Sequence, residues 1–276
     1  MPELPEVETV RRALLKKLKN KKIKNINILY KDIFENQDIS KIKENIVGQT
    51  VNNILRRGKW LIFVLDDYYL LSHLRMEGKY LYRNINSPIN KHELVIFNID
   101  NEFELRYKDV RKFGKMHLIE KDNIKESPLS KLGYEPWDDK LSTTYLKEKY
   151  ARKNIPIKTI LLDQNIITGI GNIYADEILY LSRINPLVKG KDLEEKDLNN
   201  IIENTKKILE KAIREGGTTI RSYTSEEGVT GFFQNNLNVH QREGLKCLKC
   251  GTMIKKIKVG GRGTYYCETC QKRKSI

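Results

Sequence analysis

The hydrophobic positions of this chain change period part-way along, and that change divides it. Near the start, Val7, Val10, Leu14 and Leu18 recur at helical spacing, with Pro5 suited to a first turn and Glu6 and Glu8 to its positive end. From residue 21 the period becomes two. Residues 21–36 alternate apolar with polar. The runs Val47–Leu55, Trp60–Leu65, Tyr69–Leu74, Lys79–Tyr82, Leu94–Ile99, Phe103–Tyr107 and Lys115–Ile119 are short, apolar-rich and separated by polar turns. Strands at this spacing predict a two-layer antiparallel sandwich. Pro128, Gly133 and Pro136 break any regular element across Ser127–Trp137. Beyond them the period is helical, over Leu141–Arg152, Ile157–Asp163, Ile173–Leu181 and Leu193–Glu215, the last stopped by Gly216-Gly217. A polar, Gly-containing loop, Thr218–Asn238, leads into a short Cys-rich end. The expected fold class is therefore α+β in three parts: an N-terminal antiparallel β-sandwich flanked by helices over 1–130, a helical part over 131–235, and a β-hairpin finger over 236–276.

Charge and cysteine placement narrow the function. The 276 residues carry 51 Lys and Arg against 36 Asp and Glu, a net charge of +15, which points towards a polyanion such as nucleic acid or an anionic membrane. The chain has no apolar run long enough to span a bilayer and no charged-then-apolar leader, so a cytoplasmic protein with no membrane partner is expected. All four cysteines lie late, as Cys247-x-x-Cys250, sixteen intervening residues, then Cys267-x-x-Cys270. Two such pairs suit a closed tetrahedral site for one structural zinc ion. Two disulfides are the alternative, which a reducing compartment disfavours. Between the pairs, Met253–Val259 and Thr264–Tyr266 read as strands joined by Gly260-Gly261-Arg262-Gly263, a hairpin with Arg262 at its tip. Nine Lys or Arg against the single acid Glu268 in 244–276 make it suited to phosphates, although a solvated turn Arg accounts for Arg262 equally well.

The first ten residues, MPELPEVETV, carry a second signal. Pro2 directly follows the initiator Met, and removal of Met1 would leave a secondary amine with a pKa of roughly 8. Such an amine is a competent nucleophile near neutral pH, and at a sugar C1′ it forms an iminium that cannot neutralise itself by losing an N–H. Glu3 supplies a carboxyl for proton transfer beside it. The plain alternative is a well-started amphipathic helix. Gly169-Ile170-Gly171-Asn172 opens the third helix with free N–H groups able to meet an anion, although Asn172 taken alone reads first as an N-cap, and both roles are compatible. Lys59, in Arg56-Arg57-Gly58-Lys59, reads as a solvated strand-edge Lys unless a cleft holds it. Met76, Arg111 and Phe113 sit in turn-like stretches among basic residues, where they are either core or wedges for a base stack.

Taken together, PELPEVETV, RRGK, HLRMEG, KDVRKFG, GIGNIYADE and the terminal CxxC…CxxC resemble the formamidopyrimidine-DNA glycosylase family along the whole chain. That resemblance implies a bifunctional DNA glycosylase and abasic-site lyase acting as a nucleoid-associated monomer on duplex DNA with an oxidised purine. Pro2 would attack C1′ and form a Schiff base, and Glu3 would donate a proton at the sugar. Lys59 would assist the first elimination, and Arg262 would hold the phosphate through the second. Asn172, in a helix–two-turn–helix element, would clamp the backbone beside Arg262, with His92, Lys112 and Lys158 as further DNA contacts. Met76, Arg111 and Phe113 would fill the gap left by the flipped lesion, and the loop 218–238 would cover it. Arg75, Lys112, Asn154 and His240-Gln241 depart from the family's usual residues, which bears on affinity and lesion preference. A related branch, the endonuclease VIII type, takes oxidised pyrimidines and usually begins PEGPE, so Leu4 favours the purine branch. A zinc-ribbon DNA-binding protein without catalysis would explain charge and cysteines and leave Pro2-Glu3 without a role.

Overall fold

The computed structural model describes residues 1–218 and 233–272. The chain forms two compact units, Met1–Ser130 with Gly216–Gly231, and Lys131–Glu215 with Phe232–Ile276.

The first unit opens with helix α1 (Leu4–Leu18), whose buried stripe is the one the 3.6-residue period predicts. Strands β1 (Lys21–Lys22) and β2 (Asn25–Ile28) follow, then helix α2 (Ile39–Ile46) and strands β3 (Thr50–Val51), β4 (Asn53–Arg57), β5 (Trp60–Val64), β6 (Tyr68–His73), β7 (Lys79–Asn84), β8 (Glu93–Asn98), β9 (Phe103–Lys108) and β10 (Lys115–Glu120). Two four-stranded antiparallel sheets result, ordered β10-β6-β5-β4 and β2-β8-β9-β7, with β1 and β3 forming a small separate pair. One apolar core runs through both sheets, α1 and α2, from Val7 to Leu118. The expected sandwich is thus present. The single strand expected over 21–36 is not: the alternation is real, with Ile23, Ile26, Ile28 and Ile33 buried, but residues 31–33 coil into a 3-10 turn that drops Phe34 into the core. Likewise Val47–Leu55 divides into β3 and β4. Helix α2 was not foreseen. Its signals are local, Asp38 accepting from Ser40 N at 2.8 Å as the cap and Ile42 and Ile46 buried at i, i+4 spacing.

The second unit contains helices α3 (Thr143–Tyr150), α4 (Ile157–Leu161), α5 (Asn172–Leu181) and α6 (Glu195–Arg214), and a finger built on strands β11 (Lys255–Val259) and β12 (Arg262–Tyr266). Helix α6 starts with a capping box between Glu194 and Asp197, and α5 packs against both α6 and β12. The hairpin turn is Gly260-Gly261, both at positive φ, as a two-residue turn matched to strand twist requires. Arg262 therefore opens β12, opposite Val259, and does not stand at the tip. No described helix is long and apolar enough to cross a membrane.

Candidate nucleic-acid interface and reactive residues

In the first unit, Pro2 and Glu3 are buried at the start of α1 while Met1 is about half exposed. Glu3 is the N-cap. Its carboxylate takes the Glu6 backbone N–H, and Glu3 N donates back to Glu6 Oε2 at 2.8 Å, so two orphan donors are satisfied reciprocally. The other Glu6 oxygen accepts from Thr218 N and Oγ1 at 3.0 and 3.1 Å, against Gly217 at φ +81°, where a Cβ would lie 2.8 Å from Glu6 Oε1. Glu6 thus ties the start of α1 to residue 218. Sequence reasoning treated it only as a helix-end charge; the three-residue spacing from Glu3 was the available signal.

Lys59 occupies the two-residue Gly58-Lys59 turn between β4 and β5, Gly58 at φ +56°, and it is 5% exposed. The reading of a solvated strand-edge Lys is therefore wrong. His73, paired with Trp60 across the ladder and edge-on to its ring at 4.9 Å, was also missed, although it is the first residue of the HLRMEG stretch. Burial, then the positive charges of Arg75 and Lys59, lower its pKa to about 3. The ring is neutral at working pH, and since Nδ1 accepts from Arg75 N at 3.0 Å, Nε2 carries the hydrogen and can donate.

The wedge candidates sit on two neighbouring turns. Met76 is half-buried on Leu74–Gly78, a turn closed by Gly78 N to Leu74 O at 2.9 Å. Arg111 and Phe113 are exposed, with the guanidinium over the ring at 4.6 Å. The fully buried Asp109 carboxylate shapes their turn by accepting from Arg111, Phe113 and Gly114 N at 2.8–3.0 Å. Both turns close on the Tyr107 hydroxyl, since a Cβ on Gly78 or Gly114 would lie 2.1 or 1.8 Å from it. Lys112 is exposed, its Nζ over the Tyr30 ring at 4.7 Å. His92, at φ +75°, accepts from Asp109 N through its carbonyl at 3.0 Å. The loop before it is held by buried Arg106, which donates to Ser87 O and Pro88 O and pairs with Glu93 and Glu104.

In the second unit, the N-cap of α5 is Gly171, and Asn172 is the first helical residue, which corrects the N-cap reading. Its side-chain amide donates to Gly263 O at 3.0 Å, joining the helix start to β12, while its buried Oδ1 has no partner among the described residues. Arg262, on the same strand as Gly263, is exposed. Lys158, which the resemblance gives as a DNA contact, is fully buried, with Nζ 2.6 Å from Asp176 Oδ1 and 2.8 Å from Asn172 O. Such a charge needs its partner more than a phosphate. The other Asp176 oxygen lies 2.7 Å from His240 Nδ1, and that ring stands edge-on to Tyr265 of β12. Glu177, also buried, collects the backbone N–H groups of Asn238, Val239 and His240. Gln241, at φ +59°, takes the left-handed conformation that glycine would hold with less strain. Asn154 is exposed and no described contact gives it a role. Of the expected lesion-covering loop 218–238, residues 219–232 lie outside the described residues.

The four cysteines converge with all Sγ atoms within 4.8 Å of one another, Cys247 to Cys270 at 3.9 Å and Cys250 to Cys267 at 3.4 Å. A tetrahedron with metal–sulfur bonds of about 2.3 Å has edges of about 3.8 Å, so the set fits one zinc ion. None of the four is in a disulfide. Four thiolates leave no open coordination position, and the zinc is structural.

Three family models match in chain order: the formamidopyrimidine-DNA glycosylase N-terminal domain over residues 1–116, the H2TH domain of the same enzymes over 132–224, and a zinc finger found in FPG and IleRS over 244–273. The formamidopyrimidine-DNA glycosylase of Bacillus cereus is 46% identical over 99% of this chain and the whole of that protein, and the Bacillus subtilis one is 44% identical with the same coverage. The chain belongs to the formamidopyrimidine-DNA glycosylase family. Solved structures agree in shape as well as sequence. A Lactococcus lactis FPG mutant with a Fapy-dG containing DNA superposes with a TM-score of 0.93 at 41% identity, covering 99% of this chain and all of that one. The same protein with an abasic site containing DNA gives 0.92 at 41% identity over 98% of this chain and all of that one. The wild-type protein with an oxidized pyrimidine containing DNA gives 0.91 at 40% over 99% and 100%. The family therefore accounts for the +15 charge, the finger and the buried N-terminal turn together.

Proposed function

We propose that this chain excises oxidised purines, 8-oxoguanine and formamidopyrimidines, from duplex DNA and then cuts the strand on both sides of the abasic sugar, working as a monomer at the bacterial nucleoid. Removal of the half-exposed Met1 frees the Pro2 nitrogen. Its lone pair attacks C1′ of the flipped nucleotide, the C1′–N bond to the base breaks, and Glu3 protonates the sugar oxygen as the ring opens. The resulting iminium draws electrons from C2′. Loss of the C2′ proton, assisted by Lys59, gives an enamine that expels the 3′ phosphate with its electron pair and leaves a C2′=C3′ double bond. A second elimination, with Arg262 holding the departing phosphate, releases the 5′ phosphate. Met76, Arg111 and Phe113 fill the vacated stack, which offsets an unstacking cost of a few kcal/mol. Asn172 clamps the backbone, with His92, Lys112 and His73 as further contacts, and Lys158 acts through Asn172.

The observation that carries this reading is the buried Pro2-Glu3 start of α1, locked by a capping box, in a chain that matches the family end to end. A pyrimidine-directed activity is the second reading, favoured by the Lactococcus lactis protein's structure with an oxidized pyrimidine containing DNA. The test is borohydride trapping on duplexes carrying 8-oxoguanine, a formamidopyrimidine or an oxidised pyrimidine, with peptide mapping of the adduct. A Pro2 adduct formed fastest on the purine lesions, and absent in Pro2→Gly, is expected. Faster trapping on the pyrimidine would move the chain to the other branch, and no adduct from Met1-free, zinc-loaded protein would leave a DNA-binding protein.

A further inference from the structure

Glu8 has no part in the chemistry above, yet three guanidinium groups converge on its carboxylate. It is only 9% exposed, and it receives Arg11 Nε and Nη2 at 3.0 and 2.8 Å, Arg12 Nε at 2.9 Å and Arg56 Nε at 3.3 Å. Burial opposes the charge, and the hydrogen bonds and charges of these guanidinium groups overcome it, holding the carboxyl below its ordinary range. A solvated salt bridge on a helix surface would be worth at most about half a kcal/mol and would end at the two side chains. This one does not end there. Arg11 Nη1 continues to Ile54 O at 3.1 Å, and Arg56 Nη1 continues to Gly58 O at 3.0 Å. One carboxylate on α1 therefore grips the β4–β5 hairpin twice, once on β4 and once inside the two-residue turn, at the residue before Lys59.

We propose that Glu8 is a positioning residue for the lyase step, holding the Lys59 turn to the helix that carries Pro2; the assignment rests on the reading of Pro2 and Lys59 given under Proposed function. Pro2 and Lys59 come from different elements, and the C2′ proton is reached only if the second is fixed with respect to the sugar bound by the first. A rigid helix and a two-residue hairpin turn each hold their own residue; the Glu8–Arg56–Gly58 chain links the two. A lone ammonium displaced by about 1 Å can lose on the order of a hundredfold in rate.

The experiment uses the full-length, zinc-loaded, Met1-free protein on duplex DNA with a preformed abasic site. Single-turnover strand cleavage is measured beside the rate of borohydride adduct formation, for the parent, Glu8→Gln, Lys59→Ala and their combination. Glu8→Gln is expected to slow cleavage on the order of tenfold to a hundredfold, with adduct formation kept within about threefold, and to add nothing to Lys59→Ala. A general loss of folding would slow both steps together and would be additive with Lys59→Ala. Should Glu8→Gln not fold, Arg56→Lys keeps the charge but gives up the fork that reaches Gly58, and the same split is expected. Parent-like cleavage in Glu8→Gln, proportionate loss of both steps, or additivity with Lys59→Ala overturns the assignment while the parent still forms its adduct. A parent that forms no adduct overturns the reading of Pro2 itself, and with it any step for Glu8 to serve.

Discussion

The β unit and the finger hold their functional turns by opposite means. In the first unit an apolar core from Val7 to Leu118 carries the fold, and buried charges such as Asp109 and Arg106 are spent on shaping loops above it. The finger's own cluster is five buried residues, Tyr180, Val239, Cys247, Ile254 and Cys267, and two of these are zinc ligands. A segment this small cannot exclude enough water to fold on apolar area alone, so the metal stands in for a core. Arg262 therefore depends on a coordination bond, whereas the hairpin bearing Lys59 stands on an apolar core, with Glu8 and Arg56 fixing its turn.

The largest effect expected follows directly. Zinc binding in isolated fingers contributes about 10–16 kcal/mol, far more than any one side chain here. Chelation, or Cys267→Ser, should erase amide-exchange protection across β11 and β12 while β5 and β6 keep theirs, and should abolish tight DNA binding. Equal loss of protection in both places would break the contrast between a metal-built finger and a core-built sandwich.

A smaller effect compares one buried ion cluster from each unit. Asp176→Ala strands Lys158, which is fully buried, and Arg106→Ala strands Glu93 and Glu104. Removing one partner of a buried pair costs about 3–5 kcal/mol, so urea unfolding should show losses of similar size at pH 7. A loss below about 1 kcal/mol at either site would show that these clusters do not act as paired buried charges.

Much of this was legible beforehand, and the misses share a cause. Helix α1, strands β5 to β10 and the cysteine pairs follow from period and spacing, which are properties of single segments. Lys158 is a DNA contact only by resemblance to the family, and its own segment carries no sign of burial; only the fold brings Asp176, eighteen residues away, to within 2.6 Å of it. Lys59 looked solvated because it stands at a strand edge, and Glu6 looked like a helix-end charge because its partner is 212 residues distant. Asn172 was misplaced by one position, because Gly171 takes the extended cap conformation and frees the Asn amide to reach Gly263. Polar side chains declare their class in sequence, and long-range pairing alone decides whether they face water.

The smallest effect tests how much slack the core-built unit has. Tyr107 Oη is buried without a hydrogen-bond partner among the described residues, wedged between Gly78 and Gly114, the glycines that end the two turns bearing Met76 and Phe113. Burial first, and then the nearby Asp109 carboxylate, hold its pKa far above the usual range, so the phenol stays protonated. A buried hydroxyl left unpaired costs about 1–3 kcal/mol, whereas removing its oxygen sacrifices only local contacts. Tyr107→Phe should therefore leave the urea midpoint unchanged or raise stability by up to about 1 kcal/mol, the opposite sign to Asp176→Ala. Both turns should keep their shape, because Asp109 and the Gly78 to Leu74 bond hold them independently of the hydroxyl. Destabilisation by about 1 kcal/mol or more would mean that the hydroxyl is bonded, with an ordered water as the partner its site would then have to admit. In that case the hydroxyl would join Asp109 in the polar bonding that holds the wedge turns, and the contrast with the finger would be confined to the metal.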